Sequence, residues 1–266
     1  MAPNPTLPTQ KVIDSSITAL PFDEQIQTML QWAGRGESRS VCVANVHMLM
    51  EAYRNPVMAR VLENADMVTP DGMPLVWMMR LLGVRNQDRV AGMDIFSSLC
   101  QQAQDSNVSI FFTGSQASIL DVMRINLERD FPNLKIAGME PLPFRPLTPQ
   151  EDEELIKKIN ESGAGLVFVS LGCPKQEQWM AQHKGQIRAV MIGLGGVFPV
   201  YAGIHKRAPQ QIRDLGLEWF YRLIQEPRRL WSRYWDTIPP FVVLALQQLL
   251  SQFSIVTQWR LKMNGQ

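Results

Sequence analysis

The sequence predicts an α/β protein with a mainly parallel sheet that is covered by helices on both faces. Short, continuously apolar segments of strand type alternate with helical patterns between about residues 108 and 196. Three of these strand segments run into a glycine turn, at Gly114, Gly172 and Gly195. Strands that are apolar throughout are buried on both faces, as in parallel sheets whose strands are connected by helices.

The expected elements follow one another along the whole chain, and most are bounded by glycine, proline or a capping residue. Thr148, Pro149 and Glu151, for example, have the spacing of a capping box at the start of a helix. In order, the elements are a loose tail (1–10), a helix (22–34), a strand (40–46), helices at 47–53 and after Pro56, a strand (67–69), helices at 74–82 and 92–103, a strand (108–113), a helix (116–130), a strand (134–139), a helix (148–160), a strand (166–171), a helix from Lys175 and a strand (189–194).

Bulk properties exclude several classes of function. The chain has 266 residues and a formal net charge of +1, which gives no argument for nucleic-acid binding. Its three cysteines form no CxxC pair and its three histidines show no metal-ligand spacing, so neither a disulfide framework nor a metal site is expected. No signal peptide and no run of about 18 apolar residues is present, which predicts a soluble cytoplasmic protein.

The segment 65–74 places an aspartate at the end of a predicted strand. Pro70 favours an extended Thr69, and Gly72 is expected to allow a turn that a Cβ atom would obstruct. Asp71 is therefore presented between a strand and a helix. Two roles remain open from these residues: a cap of the following helix or a functional carboxylate.

Polar and glycine positions also follow the other predicted strands. In parallel sheets, ligands bind at the carboxyl ends of the strands, and this coincidence favours a functional Asp71. The positions at such ends are Asn45, Asp71, Thr113-Gly114-Ser115, Gly172 to Gln176 and Gly195-Gly196.

The glycine turns suit a nucleotide, although their pattern is incomplete. Residues 193–198 resemble a dinucleotide fingerprint in which Phe198 replaces the last glycine, and the chain has no P-loop. The glycine turns could direct their backbone N–H groups at a diphosphate. They are equally typical of tight strand-to-helix turns that bind no ligand. A nucleotide-dependent oxidoreductase is one alternative function.

Three further side chains are weighed near these turns. Lys175 and Gln176 begin a helix from which they could reach a ligand. Cys173 is a poor nucleophile candidate because no histidine is implicated as its base. Arg89 suits an anion; its alternative role is a surface ion pair with Asp88 or Asp94.

The composition changes at about residue 204, which divides the chain into a sheet domain (12–204) and a helical appendage (205–266). Residues 205–235 are rich in arginine and aromatic side chains, and Pro239-Pro240 is expected to break the helical pattern before an apolar stretch at 241–256. Such residues suit an anionic membrane surface or nucleic acid, and the apolar stretch favours the membrane or a homo-oligomer contact. A packed helical layer with solvated arginines is the alternative.

Five ordered motifs together resemble the WecG/TagA/CpsF family of bacterial glycosyltransferases (glycosyltransferase family 26), over roughly residues 12 to 235. They are Thr69-Pro70-Asp71-Gly72, Arg89-Val90-Ala91-Gly92, Gly172-Cys173-Pro174-Lys175-Gln176-Glu177, Gly193-Leu194-Gly195-Gly196-Val197-Phe198 and Arg207-Ala208-Pro209.

The resemblance implies a Rossmann-like sheet of the GT-E type and an inverting transfer without a metal or other cofactor. The donor would be a UDP-sugar, typically UDP-N-acetylmannosamine or a relative. The acceptor would be a sugar on a polyprenyl diphosphate, at the cytoplasmic face of the membrane, in cell-envelope or exopolysaccharide synthesis. A non-catalytic nucleotide-sugar-binding protein that has kept the fold is the second alternative.

The resemblance also assigns roles to residues. Asp71 would be the general base that takes the proton of the acceptor hydroxyl, with Arg89 and Asn45 beside it. Two departures from the family pattern lie close by, at Val43 and Val46-His47. The expected substrate-binding residues are Thr69, Gly114, Gly172, Lys175, Gln176, Gly195, Gly196, Arg207, Arg222, Arg229 and Arg233.

Overall fold

The computed structural model describes the backbone of residues 7–263 and the side chains up to residue 252. Its centre is a six-stranded sheet, parallel throughout, with strand order β4-β3-β8-β7-β5-β6. The predicted α/β class with a mainly parallel sheet is confirmed. The strands of this sheet are β3 (Arg39–Ala44), β4 (Met67–Pro70), β5 (Ile110–Gly114), β6 (Ile136–Glu140), β7 (Leu166–Ser170) and β8 (Val190–Gly193).

Helices cover both faces of the sheet. Because side chains alternate along a strand, Val41 and Val43 face one layer while Cys42 and Ala44 face the other. One layer contains α1 (Phe22–Gly34), α5 (Gly92–Ser106), α6 (Ala117–Asp130) and α9 (Val197–Tyr201). The opposite layer contains α2 (Val46–Arg54), α3 (Pro56–Glu63), α4 (Met73–Leu81), α7 (Pro149–Glu161), α8 (Lys175–His183) and part of the last helix.

Local sequence signals account for the starts of α7 and α2. The capping box at α7 is present: the Thr148 side chain accepts from the Glu151 N–H, and the Glu151 carboxylate accepts from the Thr148 N–H. The strand expected at 40–46 is shorter than predicted, because Asn45 leaves the sheet to cap α2.

A hairpin replaces part of the tail expected over residues 1–10. Strands β1 (Thr9–Val12) and β2 (Ser15–Thr18) pair in antiparallel fashion. The tail prediction is wrong for Thr9 and Gln10, and Met1 to Thr6 lie outside the described residues. The Gln248 side chain holds the hairpin: its Oε1 accepts from the Ile13 N–H at 2.7 Å, and its Nε2 donates to the Lys11 carbonyl at 2.9 Å. Strands so short carry too little hydrophobic alternation to be recognised.

The chain after residue 205 is helical, as expected. It forms α10 (Gln210–Asp214), α11 (Glu218–Gln225) and α12 (Pro227–Met263). The break expected at Pro239-Pro240 is wrong, since α12 continues through both prolines. Pro240 lacks the N–H that would bind the Asp236 carbonyl, and Arg54 of α2 donates to that carbonyl instead, at 2.5 Å. Packing against α2 thus compensates for one of the two lost helical hydrogen bonds.

Candidate active site

A cavity of about 800 Å³ lies at the carboxyl ends of β3, β4 and β8. The sheet domain contributes the residues that follow these strands, among them Asn45, Asp71 and Gly195. Helices α11 and α12 line the cavity from the opposite side. The carboxyl edge of the sheet, where parallel sheets bind ligands, is therefore also the edge that the C-terminal helices cover.

The backbone fixes Asp71 at the end of an edge strand. Pro70 closes β4, where a missing N–H is tolerated because β4 has a single neighbour in the sheet. The Asp71 N–H donates to the Ala44 carbonyl at 2.8 Å, and the Pro70 carbonyl accepts from the Val90 N–H at 2.9 Å. The strand-to-helix turn around Asp71 was correctly predicted.

Two details of that turn differ from expectation. Gly72 is the N-cap of α4, and α4 has no side-chain cap, so the Asp71 carboxylate is not used for capping. Gly72 has an ordinary φ of −86°, and a Cβ there would meet its nearest atoms at 3.7 Å. The expectation that a Cβ would obstruct the turn is therefore wrong, and Asp71 is left to face the cavity.

The surroundings of Asp71 favour its protonated form. Burial raises the pKa of Asp71 from 3.8 to about 6; the charges of Arg89 and Arg222 and the Gly92 N–H lower it, while the Glu218 charge raises it further. The side chain nevertheless retains 29% exposure and lines the cavity. A carboxylate with such a pKa is a stronger base than a solvated aspartate and is still mostly ionised at pH 7.

Arg89 links Asp71 to the C-terminal helices. Its Nε donates to the Asp71 carbonyl at 2.7 Å, and its Nη2 lies 3.7 Å from Asp71 Oδ1. The same Nη2 donates to Glu218 Oε2 at 2.5 Å. The alternative role of Arg89, an ion pair with Asp88 or Asp94, is not found among the described side chains; Arg89 lies between the carboxylates of Asp71 and Glu218.

The start of α2 contributes an amide and an imidazole. Asn45 Oδ1 accepts from the Met48 N–H at 3.2 Å as the helix cap, and Asn45 also lines the cavity. His47, two residues later, lines it too. Burial and the charges of Arg233 and Arg54 lower the pKa of His47 to about 4, so its imidazole is neutral at pH 7.

Gln176 occupies a fixed position below two glycine turns. Its Oε1 accepts from the Gly172 N–H at 3.1 Å, and its Nε2 donates to the buried carboxyl group of Glu177 at 2.7 Å. A Cβ at Gly195 would lie 2.5 Å from Gln176 Oε1, and one at Gly193 would lie 2.8 Å from its Nε2. These glycines therefore permit the close packing of strand end, turn and side chain.

Four arginines of the appendage line the cavity, and their partners differ. Arg207 pairs with Asp94, and Arg229 pairs with Glu226. Arg222 and Arg233 make no ion pair within 4 Å among the described side chains. The Arg222 guanidinium lies over Gly196, 3.2 Å from where a Cβ would stand. Two guanidinium groups at the cavity thus have no carboxylate partner among the described side chains, which suits an anionic ligand.

The structure brings most of the predicted site residues together. Eleven of the fourteen line the cavity, and the roles assigned to all fourteen stay predictions. Thr69 is fully buried, and neither it nor Gly114 nor Lys175 lines the cavity. Those that line it are Asn45, Asp71, Arg89, Gly172, Gln176, Gly195, Gly196, Arg207, Arg222, Arg229 and Arg233.

Sequence reasoning did not identify Glu218, the acidic partner of Arg89. The two residues are 129 positions apart, and a glutamate at a helix start is ordinary. Cys173 also lines the cavity, where burial raises the pKa of its thiol, so a reactive thiolate is disfavoured.

Two negative findings concern the part of the chain that the structure describes. No group of three or more His, Cys, Asp or Glu side chains there is placed to hold a metal ion. None of its helices combines the length and the apolar character needed to cross a membrane.

Comparison with known proteins gives consistent matches. A model described as the glycosyl transferase WecG/TagA/CpsF family matches residues 10–254. An N-acetylglucosaminyldiphosphoundecaprenol N-acetyl-beta-D-mannosaminyltransferase from Bacillus spizizenii (strain W23) is 34% identical over 236 residues, which cover 88% of this chain and 88% of that protein. A protein of the same name from Bacillus subtilis (strain 168) is 34% identical over 209 residues, which cover 78% of this chain and 79% of that protein.

Proposed function

The chain belongs to the WecG/TagA/CpsF family of glycosyl transferases, and we propose on this premise that it transfers N-acetylmannosamine or a related sugar from a UDP-sugar to a sugar on a polyprenyl diphosphate. The resemblance inferred from five motifs is confirmed at the level of the family. The enzyme class is that of a glycosyltransferase, which decides against the oxidoreductase alternative. The donor, the acceptor and the residue roles form the proposal.

The observation that carries the proposal is the position of Asp71. Its carboxylate lines the cavity beside Arg89, within the edge of a parallel sheet where ligands bind. In an inverting transfer the acceptor O–H bond breaks and its proton passes to Asp71. The freed oxygen bonds to the anomeric carbon, and the bond from that carbon to the diphosphate breaks. The electron pair of that bond leaves with UDP.

Arg89, Arg222 and Arg233 supply the positive charge that this leaving group needs. Two of them have no carboxylate partner within 4 Å among the described side chains, and Arg89 shares its charge with Asp71 and Glu218. Guanidinium groups bind phosphate oxygens through paired hydrogen bonds. Stabilisation of developing charge by preorganised groups is commonly a large contribution to catalysis.

The acceptor is proposed from the names of the relatives, which describe transfer to N-acetylglucosaminyldiphosphoundecaprenol. Identity of 34% over most of both chains supports the same acceptor class here. The departures at Val43 and Val46-His47 lie on the cavity, where the neutral imidazole of His47 adds a hydrogen-bonding group. The identity of the donor sugar and of the acceptor sugar is therefore the first property to measure.

An anionic membrane surface is proposed as the partner that presents the acceptor, at the inner face of the plasma membrane. Trp231 and Trp235 are 64% and 70% exposed and lie one helical turn apart on α12. Exposed tryptophans beside arginines suit the headgroup region of a bilayer. Sedimentation with anionic vesicles tests this: Trp231→Ala combined with Trp235→Ala should reduce binding of the full chain, and unchanged binding would contradict the assignment. A homo-oligomer remains a prediction without a test in the structure.

A donor panel tests the reaction itself. UDP-N-acetylmannosamine, UDP-N-acetylglucosamine and UDP-glucose are offered with a soluble lipid-diphosphate N-acetylglucosamine, and products are identified by mass spectrometry. We expect transfer from the N-acetylmannosamine donor, inversion at the anomeric carbon by NMR, and equal rates with and without EDTA. Asp71→Asn should lower kcat by about two to four orders of magnitude. Undiminished transfer by that variant would overturn the assignment of the base, and binding without transfer by the parent would favour the non-catalytic alternative.

A further inference from the structure

Part of the cavity lining is apolar and is not used by the proposed chemistry; we call this part the apolar arm. Helix α4 contributes one wall, with Met73, Trp77 and Leu81 at four-residue spacing. Helix α12 contributes a second wall, at Ile238, Phe241, Val242, Ala245, Leu246 and Leu249. Residues three and four apart share one face of a helix, so each wall is a continuous apolar stripe.

The lining of α12 changes from charged to apolar along the helix. Up to Thr237 the lining residues of α12 include Arg229 and Arg233, with Leu230 and Tyr234 beside them, and from Ile238 to Leu249 every lining residue is apolar. The charge of Arg233 acts on His47 at the start of α2, which places this end of the lining at the candidate site. At 1.5 Å per residue, the distance from Arg233 to Leu249 is about 24 Å. A ligand that follows this wall would therefore meet cationic groups first and only apolar side chains afterwards.

Both walls of the arm are held in place. The hairpin β1–β2 contacts α4, and Gln248 of α12 forms its two hydrogen bonds with the backbone of the same hairpin. At the inner end, Gly216 packs against α4 so closely that a Cβ would lie 3.0 Å from both Met73 Cβ and Trp77 Cζ2. The arm is thus braced at both ends.

We propose that this apolar arm binds the first isoprene units of the acceptor's polyprenyl chain, so that the enzyme recognises the lipid as well as the sugar and the diphosphate. The inference rests on the proposed function. Its basis is the continuity of the arm with the Asp71 site, since a polyprenyl diphosphate has an anionic group followed directly by an apolar chain. The cavity likewise has a cationic part, which would bind the diphosphate, followed by an apolar part, which would bind the chain.

The exposure pattern distinguishes this occupant from a bilayer. Trp77 and Leu246 line the arm and are 47% and 55% exposed, so the arm is accessible to a ligand. The neighbouring residues Val242 and Val243 are 47% and 53% exposed, but Val242 lines the arm and Val243 does not. A lipid chain in the arm would contact Val242 and not Val243. A flat membrane surface would contact both, because the two side chains are similarly exposed.

The test compares two water-soluble acceptors, N-acetylglucosaminyl diphosphate carrying either a farnesyl or an ethyl group. No membrane or detergent is present, and the farnesyl acceptor is kept below the concentration at which it forms micelles. We expect the KM of the farnesyl acceptor to be at least tenfold lower for the full-length enzyme. In Val242→Asp this ratio should fall to about twofold. In Val243→Asp, the matched control with the same change one residue later, the tenfold ratio should remain.

Each other outcome contradicts the proposal in a distinct way. Equal KM values for the two acceptors would show that lipid recognition resides elsewhere, while transfer itself would leave the proposed function intact. Absence of transfer to both acceptors, with any UDP-sugar, would refute the proposed function instead. Equal losses in both variants, with unchanged circular dichroism, would show a general effect of a new charge on this face and would contradict a lipid site at Val242. A dimer that dissociates in Val242→Asp would assign it to a second copy of the chain.

Discussion

The guanidinium of Arg89 contacts both the backbone and the side chain of Asp71. Its Nε donates to the Asp71 carbonyl at 2.7 Å, and its Nη2 lies 3.7 Å from Asp71 Oδ1. The backbone contact fixes the distance between the charges. The carboxylate is consequently held close enough to be influenced by Arg89 and remains without a direct side-chain hydrogen bond to it. The Gly92 N–H occupies one acceptor position of this carboxylate, and its remaining lone pairs are available to a substrate hydroxyl.

The pH dependence of transfer should report the ionisation of Asp71. Because burial raises its pKa to about 6, the proposed base would be mostly protonated, and therefore inactive, below that pH. We expect kcat/KM to rise about tenfold per pH unit below 6 and to level off above it. Initial rates between pH 4.5 and 8.5 measure this. A profile that is flat between pH 5 and 7 would show that another group takes the proton.

Glu218→Gln should move this profile to lower pH. The Glu218 charge raises the pKa of Asp71. Once this charge is removed, Asp71 is also the only carboxylate that Arg89 contacts among the described side chains. Both changes favour the ionised carboxylate, so the midpoint of the acid limb should fall. Glu226→Gln, which alters a neighbouring carboxylate paired with Arg229, is the control and should keep the parent midpoint. A midpoint that rises in Glu218→Gln would refute the electrostatic account.

Asp71→Asn should stabilise the fold at neutral pH. The folded pKa of about 6 exceeds the ordinary value of 3.8, so the folded state binds the proton more tightly than the unfolded chain. The stabilising contribution of this carboxyl group is present below about pH 4 and is lost as the pH rises through 6. The variant should therefore have a higher Tm than the parent at pH 7.5 and a similar Tm at pH 4. Calorimetry measures both, with the exposed Asp14→Asn as control.

Substitution of the unpaired cavity arginines should weaken substrate binding. Arg222→Ala and Arg233→Ala each remove a charge that faces the cavity without a carboxylate partner among the described residues, and charge-assisted hydrogen bonds contribute about 1.5–3 kcal/mol. We expect KM for donor or acceptor to increase by at least about tenfold. Arg228→Ala is the matched control, because Arg228 is exposed and outside the cavity. Equal effects of all three would indicate a general charge effect.

Gly195→Ala should disturb the site through packing. The new methyl group would lie 2.5 Å from Gln176 Oε1 and 2.9 Å from the Gly172 backbone nitrogen, and neither is free to move. We expect a loss of about 1–3 kcal/mol of unfolding free energy, together with lower transfer activity. Denaturant titration measures the first. Gly34→Ala at the end of α1, where a Cβ meets nothing within 4 Å, should not destabilise the fold.

The parts of the site that sequence reasoning located are those encoded by adjacent residues. Pro70 terminates an apolar strand directly before Asp71, so the position of this carboxylate follows from four consecutive residues. The parallel sheet follows similarly from apolar runs of five or six residues. Both were predicted, because strand burial and turn geometry are local properties of a sequence.

The missed features depend on contacts between distant segments. Glu218 meets Arg89 only when α11 covers the sheet edge, and no local pattern encodes that placement. The continuity of α12 through Pro240 depends on Arg54, a residue of another helix. The apolar stripe of α12 was recognised, but its pairing with α4 required the structure. Tertiary contacts here override local signals of helix termination.

The bond between Gln248 and the hairpin has a consequence for the order in which the enzyme becomes functional. It joins residues 235 positions apart, so a ribosome must release nearly all of the chain before α12 can dock. A nascent chain that has completed β8 contains the residues of all six strands and Asp71 but not the wall that carries Arg233 and Leu246. The cavity is thus completed after synthesis has passed residue 248, and a prematurely terminated chain would have the carboxylate proposed as the base without the wall proposed to bind the acceptor.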